Sequence, residues 1–161
     1  MEAITTEKLN EIKEKLINAM KVNFKRDGGL DPVALLVSQE GEMAIVPTPY
    51  TNNNEKQLMI EGIKFVCKET KPAAVVMINE AWIKQIDKKD KGAFERELKE
   101  TGKSIKDYDD KKEIAIMMFE TAQGHEMINY DIDRSKNELI NEMRTNQVQG
   151  AFCNLLTPTK A

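Results

Sequence analysis

The stretch that decides the fold is residues 114–133, which read IAIMMFETAQGHEMINYDID. Two runs of alternating side chains flank the dipeptide Gln123-Gly124, a pattern typical of a β-hairpin with a tight turn. A two-residue loop at this dipeptide would place apolar residues of the two strands opposite each other. The pairs that would share this apolar face are Phe119 with Ile128, Met117 with Tyr130, and Ala115 with Ile132. A slip by one residue would destroy the agreement, so the sequence predicts an antiparallel strand pair.

The opposite face of this hairpin combines apolar and acidic residues. One strand contributes Ile114, Ile116, Met118 and Glu120, and its partner contributes Asn129, Asp131 and Asp133. A half-apolar sheet face is a candidate contact surface for another protein. We therefore predict that Ile116 and Met118 are interaction residues.

Hydrophobic periodicity and turn residues divide the rest of the chain into helices and strands. The predicted elements are a helix at 5–26, strands at 33–38 and 42–46, a helix at 52–70, a strand at 73–83, a short helix at 136–145 and a last strand at 148–156. Gly41 is the expected positive-φ residue of the first hairpin. Ser135 with Glu138 is typical of a capping box, which predicts that the short helix begins there. The residues of the second long helix expected to face inward are Met59, Ile63, Val66 and Cys67.

Hairpins dominate this order, which favours an α+β fold built on a mostly antiparallel sheet of about five to six strands. A chain of 161 residues is the usual size of one domain, and we expect a single domain over residues 1–161. The opening order of helix, hairpin, helix and strand resembles that of roadblock- and profilin-like domains. The resemblance is an analogy of layout without a motif, so it implies a shape and assigns no function.

Residues 87–113 differ in composition from the rest, because 18 of the 27 are Asp, Glu, Lys or Arg. Such a segment buries too little apolar surface to offset the entropy of ordering. We expect a charged, mobile excursion within the domain, with a short helix near 93–101. Its lysines alternate with acidic residues and form no basic stripe, which makes nucleic-acid binding an unfavoured interpretation.

The overall composition also narrows the function classes. The net charge of −3 disfavours nucleic acid and anionic membrane as partners, since both attract concentrated positive charge. No apolar run approaches the ~18 residues of a membrane span, and the polar N-terminus lacks the apolar core of a signal peptide. Cys67 and Cys153 are too few for a secreted disulfide framework, so we expect buried thiols. These features favour a cytoplasmic protein.

Strand carboxylates are the first candidates for chemistry, because paired carboxylates bind Mg²⁺ or Mn²⁺ and share acid–base work. In the predicted register Glu120 lies opposite Met127, roughly 13 Å from Asp131 at ~3.3 Å per residue, which is too far for one ion. Asp131 and Asp133 could share a metal with Glu80 if its strand is adjacent. The alternative is that all of them are ordinary charges on a solvated face.

Glu80 and Trp82 form the second candidate. A carboxylate at the end of a buried strand, beside an indole, is a candidate general acid. Trp82 is also a candidate interaction residue. The alternative places Glu80 in water at the strand end and Trp82 as a lid on the core.

No catalytic motif stands out, so the first functional hypothesis is a non-enzymatic binding or regulatory domain. It would act through a protein partner or self-association, with a homodimer included, and would need no cofactor. The alternative is a metal-dependent hydrolase that uses the strand carboxylates, or a metal-independent one with Glu80 as general acid. A third hypothesis is that the strand at 148–156 accepts a peptide at an exposed sheet edge.

Overall fold

A six-stranded antiparallel sheet with the order β2-β1-β3-β4-β5-β6 organises the molecule. The computed structural model describes residues 4–50, 52–83, 88–103, 111–146 and 155–156. Its elements are α1 (Thr6–Asp27), β1 (Val33–Val37), β2 (Met43–Pro47), α2 (Asn53–Thr70), β3 (Ala74–Ile83), a short 3₁₀ helix (Lys88–Asp90), α3 (Lys91–Thr101), β4 (Lys112–Thr121), β5 (Gly124–Asp133) and β6 (Glu138–Thr145). The predicted α+β fold class is therefore confirmed, as are both long helices, the first hairpin and the central strand.

Local side-chain chemistry sets both ends of α1. The Thr5 hydroxyl accepts a hydrogen bond from the backbone N–H of Lys8 at 3.1 Å, which satisfies one of the free donors of the first turn. At the other end Gly28 adopts φ +73°, and its N–H donates to the carbonyl of Phe24 at 2.7 Å. Glycine is the residue that most readily adopts this left-handed conformation. Gly28 therefore ends the helix where the sequence predicts.

The sheet has one helix on each face, and we name the faces after these helices. On the α1 face, α1 packs against alternate residues of the central strands, among them Val76, Met117, Phe119 and Tyr130. On the α2 face, α2 packs against the intervening strand residues, which include Ala34, Val75, Met77 and Met118. Each face thus has its own apolar core. The continuous apolar run of β3 is explained by this double coverage.

The α2 helix faces the sheet with two of the four predicted residues, Ile63 and Cys67, and with Ile60, which the prediction left out. Ile60, Ile63 and Cys67 are buried, whereas Val66 is 38% exposed. Apolar residues occupy several sides of this helix, so periodicity alone does not identify the inward side. The helix is turned toward Ile60, and Val66 lies at its flank.

The register predicted for β4 and β5 is wrong by two residues. Phe119 lies opposite Glu126 and Met117 opposite Ile128, so the loop is Ala122-Gln123. Gly124 is the first residue of β5, with φ +142°. A shift of two residues leaves every side chain on its predicted face, since strand faces repeat every two residues. The face pattern therefore could not distinguish the two registers.

The short helix predicted at 136–145 is wrong, because residues 138–145 form the edge strand β6. Ser135 does not cap a helix. Its N–H and hydroxyl both donate to the Asp133 carboxylate, at 3.0 and 2.5 Å, which builds a turn instead. Asn137 follows at φ +50°, and the Tyr130 hydroxyl donates to Glu142 at 2.5 Å across the strand pair. This turn chemistry and the cross-strand bond override the helical spacing.

Two predictions concern segments that the structure describes only in part. The helix expected near 93–101 is α3, but residue 87 and residues 104–110 of the charged segment lie outside the described residues. The strand expected at 148–156 lies outside them as well, apart from Leu155 and Leu156. Leu155 is buried against the core of the α2 face.

Candidate functional site

Glu80 lies on the α1 face, in a position that joins three parts of the chain. Its carboxylate accepts a hydrogen bond from the backbone N–H of Leu30 at 2.9 Å and pairs with Arg134 at 3.4 Å. Arg134 also binds Glu113 and the carbonyl of Gly28. The contacts of Glu80 thus connect the end of α1, strand β3 and the turn between β5 and β6.

Asp131 lies on the α2 face, so the structure does not bring it together with Glu80. On β4, Ala115 lies opposite both Glu80 and Tyr130, whereas its neighbour Ile114 lies opposite Asp131. Neighbouring strand residues point to opposite faces, which puts the sheet between the two carboxylates.

The two aspartates are also engaged in local contacts. Asp131 pairs with Lys112 at 2.6 Å and accepts a hydrogen bond from Asn141 at 2.8 Å. Burial alone would raise the pKa of Asp131, but these two donors outweigh it and hold the pKa below its usual range. Asp133 accepts from Ser135 in the turn described above. Within the described residues no group of three or more His, Cys, Asp or Glu side chains could hold a metal ion, so the predicted site at Glu80, Asp131 and Asp133 is not formed there.

Glu120 is a buried carboxylate whose structural role the sequence did not indicate. It is 1% exposed, and its two oxygens accept hydrogen bonds from the backbone N–H groups of Leu155 at 2.8 Å and Leu156 at 2.6 Å. Burial of the Cys67 thiol, and then its proximity to Glu120, raise the pKa of that thiol to about 11. Glu120 therefore anchors a distant segment to the core of the α2 face. The expectation of a buried thiol is confirmed for Cys67, whereas Cys153 lies outside the described residues.

The predicted contact surface on the α2 face is largely covered by the chain itself. Met118 is 6% exposed and Ile114 is 4% exposed, while Ile116 is half-buried. Met118 packs in the cluster that contains Leu155 and α2. The face therefore does not present the open patch that the sequence predicts. Trp82 is 42% exposed, with the Lys111 ammonium 5.3 Å from its ring centre.

Most of the large apolar side chains that are exposed belong instead to β2 and α2. Ten large hydrophobic residues are exposed in the described part of the chain, and six of them belong to these two elements. We call this set the β2–α2 surface, and it spans both faces of the sheet edge. Met43 and Ile45 lie on the α1 face, Val46 and Val66 line one cavity on the α2 face, and Leu58 and Phe65 are exposed on α2. Every residue of β2 is exposed, because α1 and α2 pack mainly over strands nearer the centre of the sheet.

Strand β2 is the outermost strand on its side of the described sheet, and hydrogen bonds show how its backbone is oriented. The N–H of Thr48 donates to the carbonyl of Pro32 at 3.0 Å, and the N–H of Ser38 donates to Glu42 at 2.8 Å. In an antiparallel pair, successive residues alternate between bonding the partner and facing away from it. The even-numbered residues of β2 therefore bond β1, while Met43 and Ile45 direct their N–H and C=O groups away from the sheet.

A cavity flanks β2 on each face of the sheet. On the α1 face a cleft of about 600 Å³ lies between α1 and the first hairpin, with Met43 and Ile45 in its wall. We call it the α1 cleft. On the α2 face a smaller cavity of about 260 Å³ lies between β2 and α2, lined by Val46, Thr48 and other residues, nearly all apolar. We call it the Thr48 pocket.

Thr48 lines the second cavity, and its hydroxyl is buried behind that wall. Thr48 is 2% exposed, and its Oγ1 atom has no hydrogen-bond partner within the residues that the structure describes. A buried hydroxyl without a partner is costly and uncommon in native proteins. The Oγ1 atom has almost no accessible surface, so the hydroxyl does not open into the Thr48 pocket.

Comparisons with known proteins assign the chain to no family. No family model, no curated protein and no solved structure matches it. The layout analogy with roadblock- and profilin-like domains therefore gains no support from relatives. Among the described residues, no helix combines the length and the apolar character needed to cross a membrane.

Proposed function

We propose that this protein is a non-enzymatic binding domain that acts in the cytoplasm through a protein partner or through self-association. The contact region would be the β2–α2 surface rather than the face that the sequence indicates. The observation that carries the proposal is that every residue of β2 is exposed, with apolar side chains on both faces of a strand edge that is unpaired in the described sheet. Exposed apolar side chains are candidates for interaction sites, and open strand edges invite pairing with another chain.

The β2 edge has few of the features that protect an edge strand from such pairing. Its central residues, Ala44 to Val46, are uncharged and apolar, and it carries no lysine. Proline at position 47 stands at its end, where it protects little of the edge. An edge of this kind is a liability unless a partner covers it, which favours a functional explanation.

The arrangement of the carboxylates supports binding over hydrolysis. Glu80 and Asp131 lie on opposite faces, and each is engaged by a cation and by a further donor. No observation among the described residues favours the hydrolase alternative with Mg²⁺ or Mn²⁺. We therefore argue only the binding function further.

Charged substitutions in the β2–α2 surface test this function. We would express wild type, Ile45→Glu and Phe65→Glu, and measure by sedimentation the size of the particle that contains the chain in cell extract. Val22→Glu is the matched control, because Val22 is 63% exposed on α1 and Ile45 is 67% exposed.

Wild type and the Val22 variant are expected to sediment above the monomer mass, and the other two variants at the monomer mass. The proposal fails if wild type sediments as a monomer, or if all four proteins behave alike. Sedimentation of the purified wild-type protein then distinguishes self-association from binding to a partner, because only self-association persists without other proteins.

A further inference from the structure

The backbone groups that β2 directs outward are complementary to those of a second β2 strand. Met43 and Ile45 each direct one N–H and one C=O away from the sheet, and Pro47 directs a C=O alone. In an antiparallel pair centred on Ile45, the two copies of this residue exchange both of their hydrogen bonds. The N–H of Met43 then donates to the C=O of Pro47 in the other copy. This register satisfies every outward N–H of both strands.

The same register places apolar side chains opposite each other on both faces of the sheet. On the α1 face, Ile45 lies opposite its own copy and Met43 lies opposite Pro47. On the α2 face, Ala44 lies opposite Val46, so a small side chain meets a larger one. All five residues of β2 are exposed, and cross-strand apolar pairs of this kind stabilise a sheet. The strand is therefore complementary to itself.

The neighbouring registers fit less well. Moving the centre of the pairing to Ala44 places Val46 opposite the charged Glu42. Moving the centre to Val46 places Ile45 opposite Pro47, which has no N–H to donate to the Ile45 carbonyl. Only the register centred on Ile45 combines apolar pairs along the whole strand with a bond for each outward N–H.

Charges near the ends of β2 are also complementary in this register. Glu42 of one copy lies opposite Thr48 of the other, on the α2 face. Near that end, α2 carries Lys56, whose ammonium is 5.7 Å from the centre of the Tyr50 ring. The carboxylate of Asp31 belongs to the α1 face, so it lies on the other side of the sheet from Glu42 of the second copy. Lys56 thus gives this end a positive charge on the face where Glu42 arrives, which favours the pairing.

The other edge of the described sheet is protected from such pairing. Strand β6 carries Glu138, Glu142 and Arg144, and its register with β5 is interrupted between Asn129 and Asp131. Charges and bulges on an edge strand prevent pairing with further sheets. Association is therefore restricted to β2 with β2, which closes after two copies, whereas pairing of β2 with β6 would continue into a fibre.

From these observations we propose that two copies of the chain associate through their β2 strands, in the antiparallel register centred on Ile45. The two six-stranded sheets then continue into one another around a two-fold axis. The axis is normal to the sheet, so both α2 helices lie on the same face. This inference rests on the proposed binding function and names a second copy as the partner.

The first test measures the mass of the purified full chain by sedimentation equilibrium over a range of concentrations. Wild type is expected to pass from the monomer mass to twice that mass as the concentration rises. Ile45→Pro removes the central donor from both strands, so it should weaken dimerisation roughly tenfold or more. Val22→Ala, at an exposed position of α1, should dimerise as wild type does. Urea unfolding at concentrations where both proteins are monomers verifies that Ile45→Pro folds.

The second test determines the register with introduced cysteines in a Cys153→Ser background, where the other native cysteine, Cys67, is buried. Ile45→Cys places two thiols on a hydrogen-bonded pair with ~5.5 Å between Cα atoms, inside the ~4.4–6.8 Å range of disulfides. Met43→Cys lies on the same face of the same strand and is the matched control. At ~3.4 Å per residue, the two copies of position 43 lie about 14 Å apart, too far for a disulfide.

Mild oxidation should therefore link Ile45→Cys into a covalent dimer roughly tenfold faster, or more, than Met43→Cys. A mixture of Met43→Cys and Pro47→Cys should link as well, since these two positions lie opposite each other. Equal rates for Ile45→Cys and Met43→Cys, or a dimer that Ile45→Pro leaves intact, would show that the copies associate by another surface.

Wild type that stays a monomer at every concentration would overturn the second copy as partner. If the particle in cell extract is still larger than the monomer, and Ile45→Glu reduces it, the binding surface stands and its partner is a different protein. If wild type is a monomer in extract as well, the proposed function fails together with this inference.

Discussion

The backbone N–H of Thr48 donates to the carbonyl of Pro32 at 3.0 Å, and this bond determines which side of β2 each residue presents. Thr48 and the other even-numbered residues bond β1, so the odd-numbered residues face away from the sheet. The position of Pro47 follows from this alternation, because its missing N–H would have pointed away from β1. The strand thus accommodates a proline without losing a bond to β1.

A pair of proline substitutions tests this orientation. Val46→Pro removes an N–H that bonds β1, and we expect it to lower the free energy of unfolding by about 1–3 kcal/mol. Ile45→Pro removes an N–H that faces outward, and we expect a change within about 0.5 kcal/mol. Urea unfolding followed by circular dichroism measures both. Equal destabilisation by the two variants would show that the alternation is assigned wrongly.

Glu120 should contribute strongly to stability through its two backbone contacts. In Glu120→Gln, one of the two N–H groups of Leu155 and Leu156 would face an amide NH₂ instead of an acceptor. We expect a loss of about 1–3 kcal/mol in the free energy of unfolding, typical of a buried donor left unsatisfied. Glu61→Gln, at an exposed position of α2, is the matched control and should stay within about 0.5 kcal/mol. Similar urea midpoints for both variants would contradict the anchoring role of Glu120.

The Cys67 thiol should react slowly in the folded protein. Burial, with a contribution from Glu120, raises its pKa from 9.0 to about 11. The thiolate is the nucleophile, so at pH 8 this shift alone lowers the reactive fraction about a hundredfold. In a Cys153→Ser background, where Cys67 is the remaining cysteine, iodoacetamide should modify native protein at least that much more slowly than urea-unfolded protein. Comparable rates in the two states would mean that Cys67 is accessible and unshifted.

Stability should fall in acid partly through the contact between Tyr130 and Glu142. The hydrogen bond from the Tyr130 hydroxyl, followed by that from Arg144, holds the pKa of Glu142 below its ordinary value of 4.5. Because Glu142 binds a proton more readily in the unfolded state than in the folded state, its contacts stabilise the folded state fully above the ordinary pKa. It is lost as the pH falls through the lower pKa of the folded state.

Tyr130→Phe tests this linkage. The difference in unfolding free energy between wild type and Tyr130→Phe should be larger at pH 7 than at pH 3, and Tyr50→Phe should show no such dependence. A difference that is the same at both pH values would rule out the linkage.

The faces of the central strands could be predicted from the sequence, and their exact pairing could not. Alternation assigned Met117, Phe119 and Tyr130 to one face, which is the α1 face. A shift of two residues preserves that assignment, so the choice between the two registers depends on the turn, where Gly124 begins β5. The strand β6 was missed for a related reason. The spacing of Ser135 and Glu138 also fits the start of a helix. The turn depends instead on hydrogen bonds from Ser135 to the Asp133 side chain, which residue spacing does not reveal.

The candidate site was harder to predict than the fold, because it depends on which apolar residues stay exposed. Ile45 in a strand and Phe65 in a helix look like core residues when their neighbours are unknown. Only the packing of α1 and α2 over the centre of the sheet leaves them uncovered. Sequence instead pointed to Met118, which the same packing buries. A strand whose residues are apolar on both faces, as in β2, is the signal that could have identified the site.

Site-resolved crosslinking tests the central claim most directly. A photoreactive amino acid would replace Ile45, Phe65 or, as control, Val22 in the full chain, and the protein would be illuminated inside the cells that express it. We predict that Ile45 and Phe65 form adducts of defined mass and that Val22 does not. No adducts at the first two positions, or an equal yield at all three, would contradict the assignment of the β2–α2 surface as the binding site.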